Sequence, residues 1–295
     1  MTVAKAFTDA REVDSSPFCR PGTFVQFGAG EPQKVESDGT PTWIARGANF
    51  AIAASLVRDG AELTQDVPDE SMVLLSPALP ITLKAGDATA VIDDEALVIT
   101  PPGRTQFAAH GDGFLIRVFS SAASAFCDLA SNADAYRSAS DVAPLNPWPE
   151  PIDGFRLRVY RLADFENDVG FGRLFRSTNL MINIFKPSAG PRDLSRLTPH
   201  DHADFEQGSL TLAGDFIHYL RTPWGPDRSQ WREDQFQACS DCSLMIIPPR
   251  MVHTTSWSGE GARLVDVFAP PRTDFSQKPG WVRNAVEYPM PKTLL

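Results

Sequence analysis

The chain has 295 residues, of which 42% are hydrophobic and 22% charged, and its net charge is −10 at pH 7. This composition is typical of a globular protein with one large domain or two of average size. The acidic balance, without a basic stripe, argues against a nucleic-acid partner. No apolar run approaches membrane-spanning length and the first residues lack the apolar core of a signal peptide, so we expect a cytoplasmic protein that does not enter membranes.

Short segments with strand character follow one another along the chain, separated by turns rich in Gly, Pro and Asp. In the first half they are FAIAASLV, SMVLLS, ITLKAG, TAVID, ALVITPP and FLIRVFS. In the second half they are LMINIFK, GSLTLAG, SLMIIPP and ARLVDVF. The spacing predicts an all-β protein built from sandwiches or barrels.

The second set of strands resembles the first. EQGSLTLAGD echoes ESMVLLSPALPITLKAGD, and GEGARLVDVFAP echoes GDGFLIRVFSS. A repeat of domain length predicts two similar barrels side by side. We predict five segments: an N-terminal arm (1–40), a first barrel (41–122), a helix with a proline-rich linker (123–152), a second barrel (153–270) and a C-terminal arm (271–295). The C-terminal arm is expected to pack on a partner subunit, within a homodimer, or on the first barrel.

Two histidines and a glutamate lie close together in TPHDHADFEQGSLTLAGD. On a strand, the side chains of His200, His202 and Glu206 would share one face. Burying them without partners would be costly, and a divalent cation removes that cost. His253, after the turn IIPPRMV, is the candidate for a further ligand. The alternative is a metal-free cluster in which hydrogen bonds satisfy these groups.

These residues resemble the two motifs of the cupin superfamily. The first motif is His200, His202, Glu206 and Gly214; the second is Pro248, Pro249 and His253. The resemblance implies two tandem cupin barrels of the double-stranded β-helix, or jelly-roll, type. It also implies one divalent transition metal in the second barrel, held by His200, His202, Glu206 and His253. Fe, Mn, Ni, Co and Zn all suit such a ligand set.

The internal repeat places different residues at these positions of the first barrel. Thr64, Asp66, Glu70 and Gln106 are in register with the four predicted ligands. Thr and Gln bind transition metals poorly. We therefore expect the first barrel to lack a metal and to serve as scaffold or dimerisation surface.

Further candidates for the site lie in the second barrel. Asp266, within the apolar strand ARLVDVF, is a candidate general acid/base, and Arg272 is a candidate clamp for a substrate carboxylate. The alternative is a structural ion pair between them. DVFAPPRTDF also resembles the tail of sugar-acid cupins of pectin degradation, which implies that Asp266, Phe268 and Arg272 lie beside the metal. His218 and Arg250 are candidate pocket residues, with a structural histidine and a surface charge as the alternatives.

Three functions are consistent with this sequence. The first is a metal-dependent enzyme of isomerase or lyase type, acting on a small, oxygen-rich, anionic substrate through a metal-stabilised enolate. The second is an Fe(II)-dependent dioxygenase, and the third is a non-catalytic cupin that binds or senses a small molecule. The CxxC pair Cys239 and Cys242 lacks a second ligand pair for structural zinc, so we expect free thiols.

Overall fold

The computed structural model describes residues 19–76, 78–137, 141–166, 170 and 172–294. Residues 1–18 of the predicted N-terminal arm lie outside this part of the chain. Within it, strands predominate and the only α-helices are two short ones, α1 (Ser124–Leu129) and α2 (Thr273–Ser276). The predicted all-β class is confirmed.

The strands of the first half are β1 (Thr23–Gln26), β2 (Lys34–Val35), β3 (Pro41–Arg46), β4 (Phe50–Val57), β5 (Glu62–Val67), β6 (Ser71–Leu75), β7 (Ile81–Ala85), β8 (Ala88–Ile92), β9 (Ala96–Thr100), β10 (Gly103–Ala109) and β11 (Gly113–Ser120). Those of the second half are β12 (Arg158–Arg161), β13 (Gly172–Arg176), β14 (Met181–Phe185), β15 (Gln207–Ala213), β16 (Phe216–Arg221), β17 (Gln235–Cys239), β18 (Ser243–Ile247), β19 (Val252–Trp257) and β20 (Arg263–Phe268). Short 3-10 helices cover Ala133–Tyr136, Leu162–Phe165, Leu194–Arg196, Arg228–Gln230 and Lys292–Leu294.

The strands form four antiparallel sheets in two pairs. The first barrel consists of a seven-stranded sheet, ordered β12-β9-β6-β11-β4-β3-β2, and a four-stranded sheet, ordered β5-β10-β7-β8. The second barrel consists of a six-stranded sheet, ordered β1-β18-β15-β20-β14-β13, and a three-stranded sheet, ordered β17-β16-β19. Side chains alternate between interior and solvent, as in β5, where Leu63, Gln65 and Val67 are buried and their neighbours exposed.

Each large sheet contains an edge strand from the segment that precedes the other barrel. β1, from the N-terminal segment, pairs with β18 of the second barrel. β12 follows the linker and pairs with β9 of the first barrel. The predicted boundary at residue 153 therefore falls before a strand that the sheet of the first barrel contains, because local periodicity does not reveal which sheet edge a strand joins.

One apolar core joins the two large sheets. It includes Ile52 and Ile116 of the first barrel and Ile182, Leu244 and Val265 of the second, all buried. Full burial of such a side chain stabilises the folded chain by about 1.5–3 kcal/mol. Separate cores fill each barrel, the first with residues such as Leu63 and Phe107 and the second with residues such as Met245. The barrels therefore pack on each other through the faces of their large sheets.

The C-terminal segment packs across both barrels. The Tyr288 hydroxyl donates to Glu70 Oε1 of the first barrel at 2.7 Å. Val282 forms an isolated bridge with Leu174 of the second barrel. Of the two predicted locations of this arm, contact with the first barrel is present within the chain.

The predicted helix of the linker region is shorter than its segment, since α1 covers six residues and is followed by a 3-10 turn. The four cysteines, Cys19, Cys127, Cys239 and Cys242, are buried free thiols, and this agrees with the prediction for the CxxC pair. Among the described helices none has the length and apolar character needed to cross a membrane.

Candidate metal centre

Three histidines of the second barrel converge on one point. His200 and His253 form an isolated antiparallel bridge, with backbone N–H···O bonds of 3.0 and 2.8 Å between them. The ring centroids of the pairs His200–His253, His200–His202 and His202–His253 lie 4.4, 5.1 and 5.1 Å apart. One nitrogen from each ring lies within 4.8 Å of the other two. Such a cluster could hold a metal ion.

Hydrogen bonds from the ring nitrogens to backbone carbonyls set the tautomers of His200 and His253. Nδ1 of His200 lies 2.9 Å from the carbonyl of Thr198, and Nδ1 of His253 lies 2.9 Å from the carbonyl of Met251. Because a carbonyl can only accept, each Nδ1 carries the proton and each Nε2 keeps its lone pair. Metal-binding histidines typically have this arrangement.

Burial keeps the three rings neutral. It lowers the pKa of His253 to about 3 and places the pKa of His202 well below its ordinary value, and neighbouring cations act in the same direction. Burial also lowers the pKa of His200. Among the described residues, His253 Nε2 and His202 Nδ1 have no hydrogen-bond partner. Neutral imidazoles with unpaired buried nitrogens fit a divalent transition metal.

Glu206, the fourth predicted ligand, is not part of this cluster. Its carboxylate accepts from Arg20 Nη2 and from the backbone N–H of Ala48, both at 2.6 Å. A Cβ on Gly47 would lie 2.7 Å from Glu206 Oε2, so the glycine permits the close approach. Glu206 thus ties the second barrel to the N-terminal segment and to the first barrel, and the prediction that it is a ligand is corrected.

Gln207 takes the place next to the histidines. Its Oε1 lies 3.0 Å from His202 Nε2. Its Nε2 donates to Ser209 Oγ at 2.9 Å and to Asp266 Oδ1 at 3.1 Å, which fixes the orientation of the amide. The prediction failed because 201–206 is not a strand: β15 begins at Gln207, so alternation does not continue from His202.

A signal for Gln207 was present in the sequence. In β15 the polar Ser209 and Thr211 alternate with Leu210 and Leu212. Gln207 shares the parity of the polar residues, whereas Glu206 shares that of the leucines. Counting back from the strand, rather than forward from the histidines, identifies the correct residue.

Asp266 lies beside the centre, on β20 opposite Ser209. Its Oδ1 accepts from Ser209 Oγ at 2.6 Å and from Gln207. Burial raises the pKa of Asp266 to about 7, and the hydrogen bond from Ser209 and the charge of Arg272 oppose this rise. A buried carboxylate that changes protonation near neutral pH suits proton transfer.

Arg272 does not form an ion pair with Asp266, which was the alternative to a role as substrate clamp. It binds Asp274 through two hydrogen bonds, of 2.7 and 3.0 Å. Its guanidinium carbon also lies 3.6 Å from the centroid of the Phe275 ring. The charge of Arg272 is therefore paired with Asp274, two residues away in sequence, and not with Asp266.

A pocket of about 590 Å³ opens at the centre. Its lining includes His200, His253, Gln207, Asp266, Arg272 and Phe268. Of the three residues predicted for a substrate pocket, Phe268 lines this cavity.

His218 and Arg250 do not line the pocket, which corrects both predictions. His218 is fully buried behind it, with Nδ1 2.8 Å from Thr255 Oγ1, and burial lowers its pKa to about 4. Arg250 occupies a left-handed turn (φ 66°), and its backbone N–H donates to the His202 carbonyl. Arg250 thus supports the backbone of His202.

The predicted register of the first barrel is shifted by one residue. Thr64, Asp66 and Gln106 are exposed. Glu70 is buried, but its carboxylate binds Thr178 and Tyr288 rather than a group inside the first barrel. The β-ladders supply the correct equivalents. Gln65 pairs with Thr105 as His200 pairs with His253, and Ser71 occupies the place of Gln207 at the start of its strand. The expectation that histidines are missing from this position of the first barrel holds in the corrected register as well.

Known proteins share this architecture at low sequence identity. No protein-family model matches the chain, and no curated protein matches it in sequence. Among solved structures, YlbA from E. coli is 10% identical, with a TM-score of 0.54, and the match covers 88% of this chain and 94% of that one. Oxalate decarboxylase from Lactobacillus farciminis, in complex with formate, is 12% identical with a TM-score of 0.52, covering 90% and 88%. An 11S globulin from Wrightia tinctoria, whose structure reveals an auxin binding site, is 11% identical with a TM-score of 0.56, covering 86% and 84%. At these identities the likeness shows the fold alone.

Proposed function

Because the chain has the two-domain cupin fold that its motifs predict, we propose that it is a metal-dependent enzyme for a small, oxygen-rich, anionic substrate. His200, His202 and His253 would hold the metal, and the amide oxygen of Gln207 would orient His202 through its Nε2. A divalent transition metal bound there would act as a Lewis acid and stabilise an enolate. The observation that carries the proposal is the convergence of three neutral imidazoles, two of which, His200 and His253, line the pocket that Asp266 also lines.

Asp266 would move the proton. Its carboxylate lines the pocket, and the hydrogen bond from Ser209 holds Oδ1 in place. Removing a proton from the carbon beside a carbonyl and returning it at another atom is an isomerisation; losing a leaving group instead is a lyase reaction. The geometry supports either reaction, since both need one positioned base near the metal.

The direct test combines metal analysis with a substrate screen. Protein purified without oxygen is expected to contain about one equivalent of a divalent transition metal, measured by inductively coupled plasma mass spectrometry. A sugar-acid panel is then assayed with the wild type, with Asp266→Asn and with a control variant, Asp112→Asn. The proposal predicts turnover by the wild type and the control, and metal without turnover in Asp266→Asn. Protein without stoichiometric metal, or full activity of Asp266→Asn, would contradict it.

An Fe(II)-dependent dioxygenase is the second candidate, and the aromatic walls of the pocket favour it. Phe216, Trp257, Phe268 and Phe275 line the cavity and would exclude water from reactive oxygen species. Substrate-dependent O₂ uptake by iron-loaded protein would support this function. No uptake across aromatic and thiol substrates would remove it, and a ligand recovered unchanged after long incubation would favour a binding or sensing protein.

A further inference from the structure

Arg192 lines the same pocket and is held there in a fixed orientation. Its Nη1 donates to the Thr255 carbonyl at 2.6 Å, and its Nη2 donates to Thr198 Oγ1 at 2.8 Å. The guanidinium carbon lies 5.2 Å from the centroid of the Trp257 ring. Trp257 is itself anchored, because its Nε1 donates to the Gly190 carbonyl at 2.8 Å. The position of the charge is therefore set before any ligand arrives.

The positive charge of Arg192 is not neutralised within the described ranges. Its hydrogen-bond acceptors there are a carbonyl and a hydroxyl, both uncharged. The neighbouring Asp193 is turned towards Ser195, whose N–H and hydroxyl it accepts at 2.9 and 2.7 Å. Arg272, in contrast, is paired with Asp274. A half-buried guanidinium without a counter-ion favours the binding of an anion.

Arg192 is also close to the metal centre. Thr198 binds both: its hydroxyl accepts from Arg192, and its carbonyl accepts from Nδ1 of His200. On the other side, Arg192 donates to Thr255, which lies two residues after His253 on β19. A small molecule in the pocket can therefore touch Arg192 and the histidines at once.

Part of the wall of this pocket is apolar. Trp257, Phe216, Ala262 and Leu264 line the pocket together with Arg192. Such a surface suits the carbon skeleton of a ligand, while the charged end needs the guanidinium.

We propose that Arg192, rather than Arg272, is the carboxylate anchor of this pocket and a specificity-determining residue. The substrate is a carboxylic acid whose charged group binds the Arg192 guanidinium and whose carbon skeleton extends along the apolar wall towards the histidines. The part of this proposal that concerns the reacting end of the substrate rests on the proposed metal-dependent function, whereas binding of the carboxylate to Arg192 needs no metal.

The test measures carboxylate preference in EDTA-treated protein by isothermal titration calorimetry. The probes are acetate, benzoate and 3-phenylpropionate, each compared with its uncharged amide. The wild type is expected to bind at least one carboxylate 10-fold or more tightly than its amide. Arg192→Gln should lose about 10- to 100-fold in carboxylate affinity, the range of charge-assisted hydrogen bonds, with the amide unchanged.

Two variants serve as controls. Arg196→Gln removes an exposed arginine that does not line the pocket, and it should leave the preference intact. Arg192→Lys keeps the charge without the planar fork and should recover part of the affinity; it also covers the case in which Arg192→Gln does not fold.

Equal binding of every carboxylate and its amide by the wild type would overturn the proposal, as would unchanged carboxylate affinity in Arg192→Gln and Arg192→Lys. Co(II) titration of the same preparations separates this result from the proposed function. If the protein binds no Co(II) but shows the Arg192-dependent preference, the proposed metal-dependent function is wrong and the carboxylate anchor stands. If it binds Co(II) but shows no Arg192-dependent preference, the anchor is wrong and the metal centre stands.

Discussion

The two barrels have matching strand pairing, but their interior side chains differ in chemistry. At the place of His200, His253 and Gln207, the first barrel has Gln65, Thr105 and Ser71. At the place of Asp266, opposite Ser209, it has Arg117, opposite Val73. Each pair of residues differs in chemistry while the backbone pairing stays the same, so the fold itself does not depend on the side chains of the histidine cluster.

Arg117 fills the interior of the first barrel. It is fully buried, and its Nη2 donates to Glu36 Oε1 at 2.9 Å and to Ser55 Oγ at 2.8 Å. Its guanidinium lies 5.6 Å from the Phe126 ring, and that ring stacks on Phe119 at 4.1 Å. A buried ion pair and stacked rings occupy the space that forms an open pocket in the second barrel.

Two glutamates join the barrels reciprocally. Glu206, just before β15, accepts from the N–H of Ala48, in the β3–β4 turn of the first barrel. Glu70, just before β6, accepts from the N–H of Thr178 at 3.2 Å, in the β13–β14 turn of the second barrel. The internal repeat thus explains Glu206 better than a metal does, because its counterpart Glu70 makes the same contact in a barrel that lacks the cluster of three histidines.

The largest effect is expected from removing Arg117, whose side chain fills the interior of the first barrel. Arg117→Ala leaves Glu36 buried without its guanidinium, so the free energy of unfolding should fall by about 3–5 kcal/mol, measured by urea denaturation. The control Arg58→Ala breaks the exposed pair with Asp112 and should have far less effect. A loss of stability in Arg117→Ala no greater than in the control would show that the pair does not hold the first barrel.

The second prediction tests the open interior. His202→Ala should weaken Co(II) binding by more than about 100-fold, because it removes a ligand and not merely a group behind one. Gln65→Ala, at the matching part of the first barrel, should leave Co(II) affinity unchanged. The change in visible absorption on Co(II) titration measures both, and equal affinities for the two variants would refute the assignment.

The third prediction separates adjacent residues with different partners. Gln207→Ala should weaken Co(II) binding by about 10- to 100-fold. Glu206→Gln should change it less than about threefold while lowering the free energy of unfolding by about 1–3 kcal/mol, through loss of the charged bonds to Arg20 and Ala48. If Glu206→Gln had the larger effect on Co(II), the glutamate would be the ligand after all.

The smallest effect concerns pH and the filled barrel. Burial acts to raise the pKa of Glu36, but Arg117 and Lys34 outweigh it and the pKa lies below its ordinary value. Ionised Glu36 therefore contributes stability above the pKa of the unfolded chain, about 4.3, and this contribution is lost as pH falls through the lower folded pKa. Urea denaturation at pH 7 should show wild type more stable than Glu36→Gln, with the difference shrinking towards pH 3; a constant difference would contradict the sign.

Much of the candidate metal centre could be predicted from local patterns. Strand-like segments, their repetition and the pair His200 and His202 before β15 are features of neighbouring residues. His253 could be added because it follows the turn that precedes its strand. The prediction for Glu206 was wrong because the chain bends between His202 and β15, so side-chain alternation does not continue across this segment. The residues HADFE do not indicate how many positions the bend contains.

The sequence by itself determined the all-β class, the duplication and the three histidines, because hydrophobic alternation and turn residues act over a few positions along the chain. Only the tertiary structure decided which partner each charge has. Glu206 meets Ala48, 158 positions away, and Arg192 meets Thr255, 63 positions away. The exchange of β1 and β12 between sheets is likewise a choice of edge, made by packing. Since these charged side chains bind hydrogen-bonding groups that the fold brings near, their roles are a property of the assembled barrels and not of their neighbours in sequence.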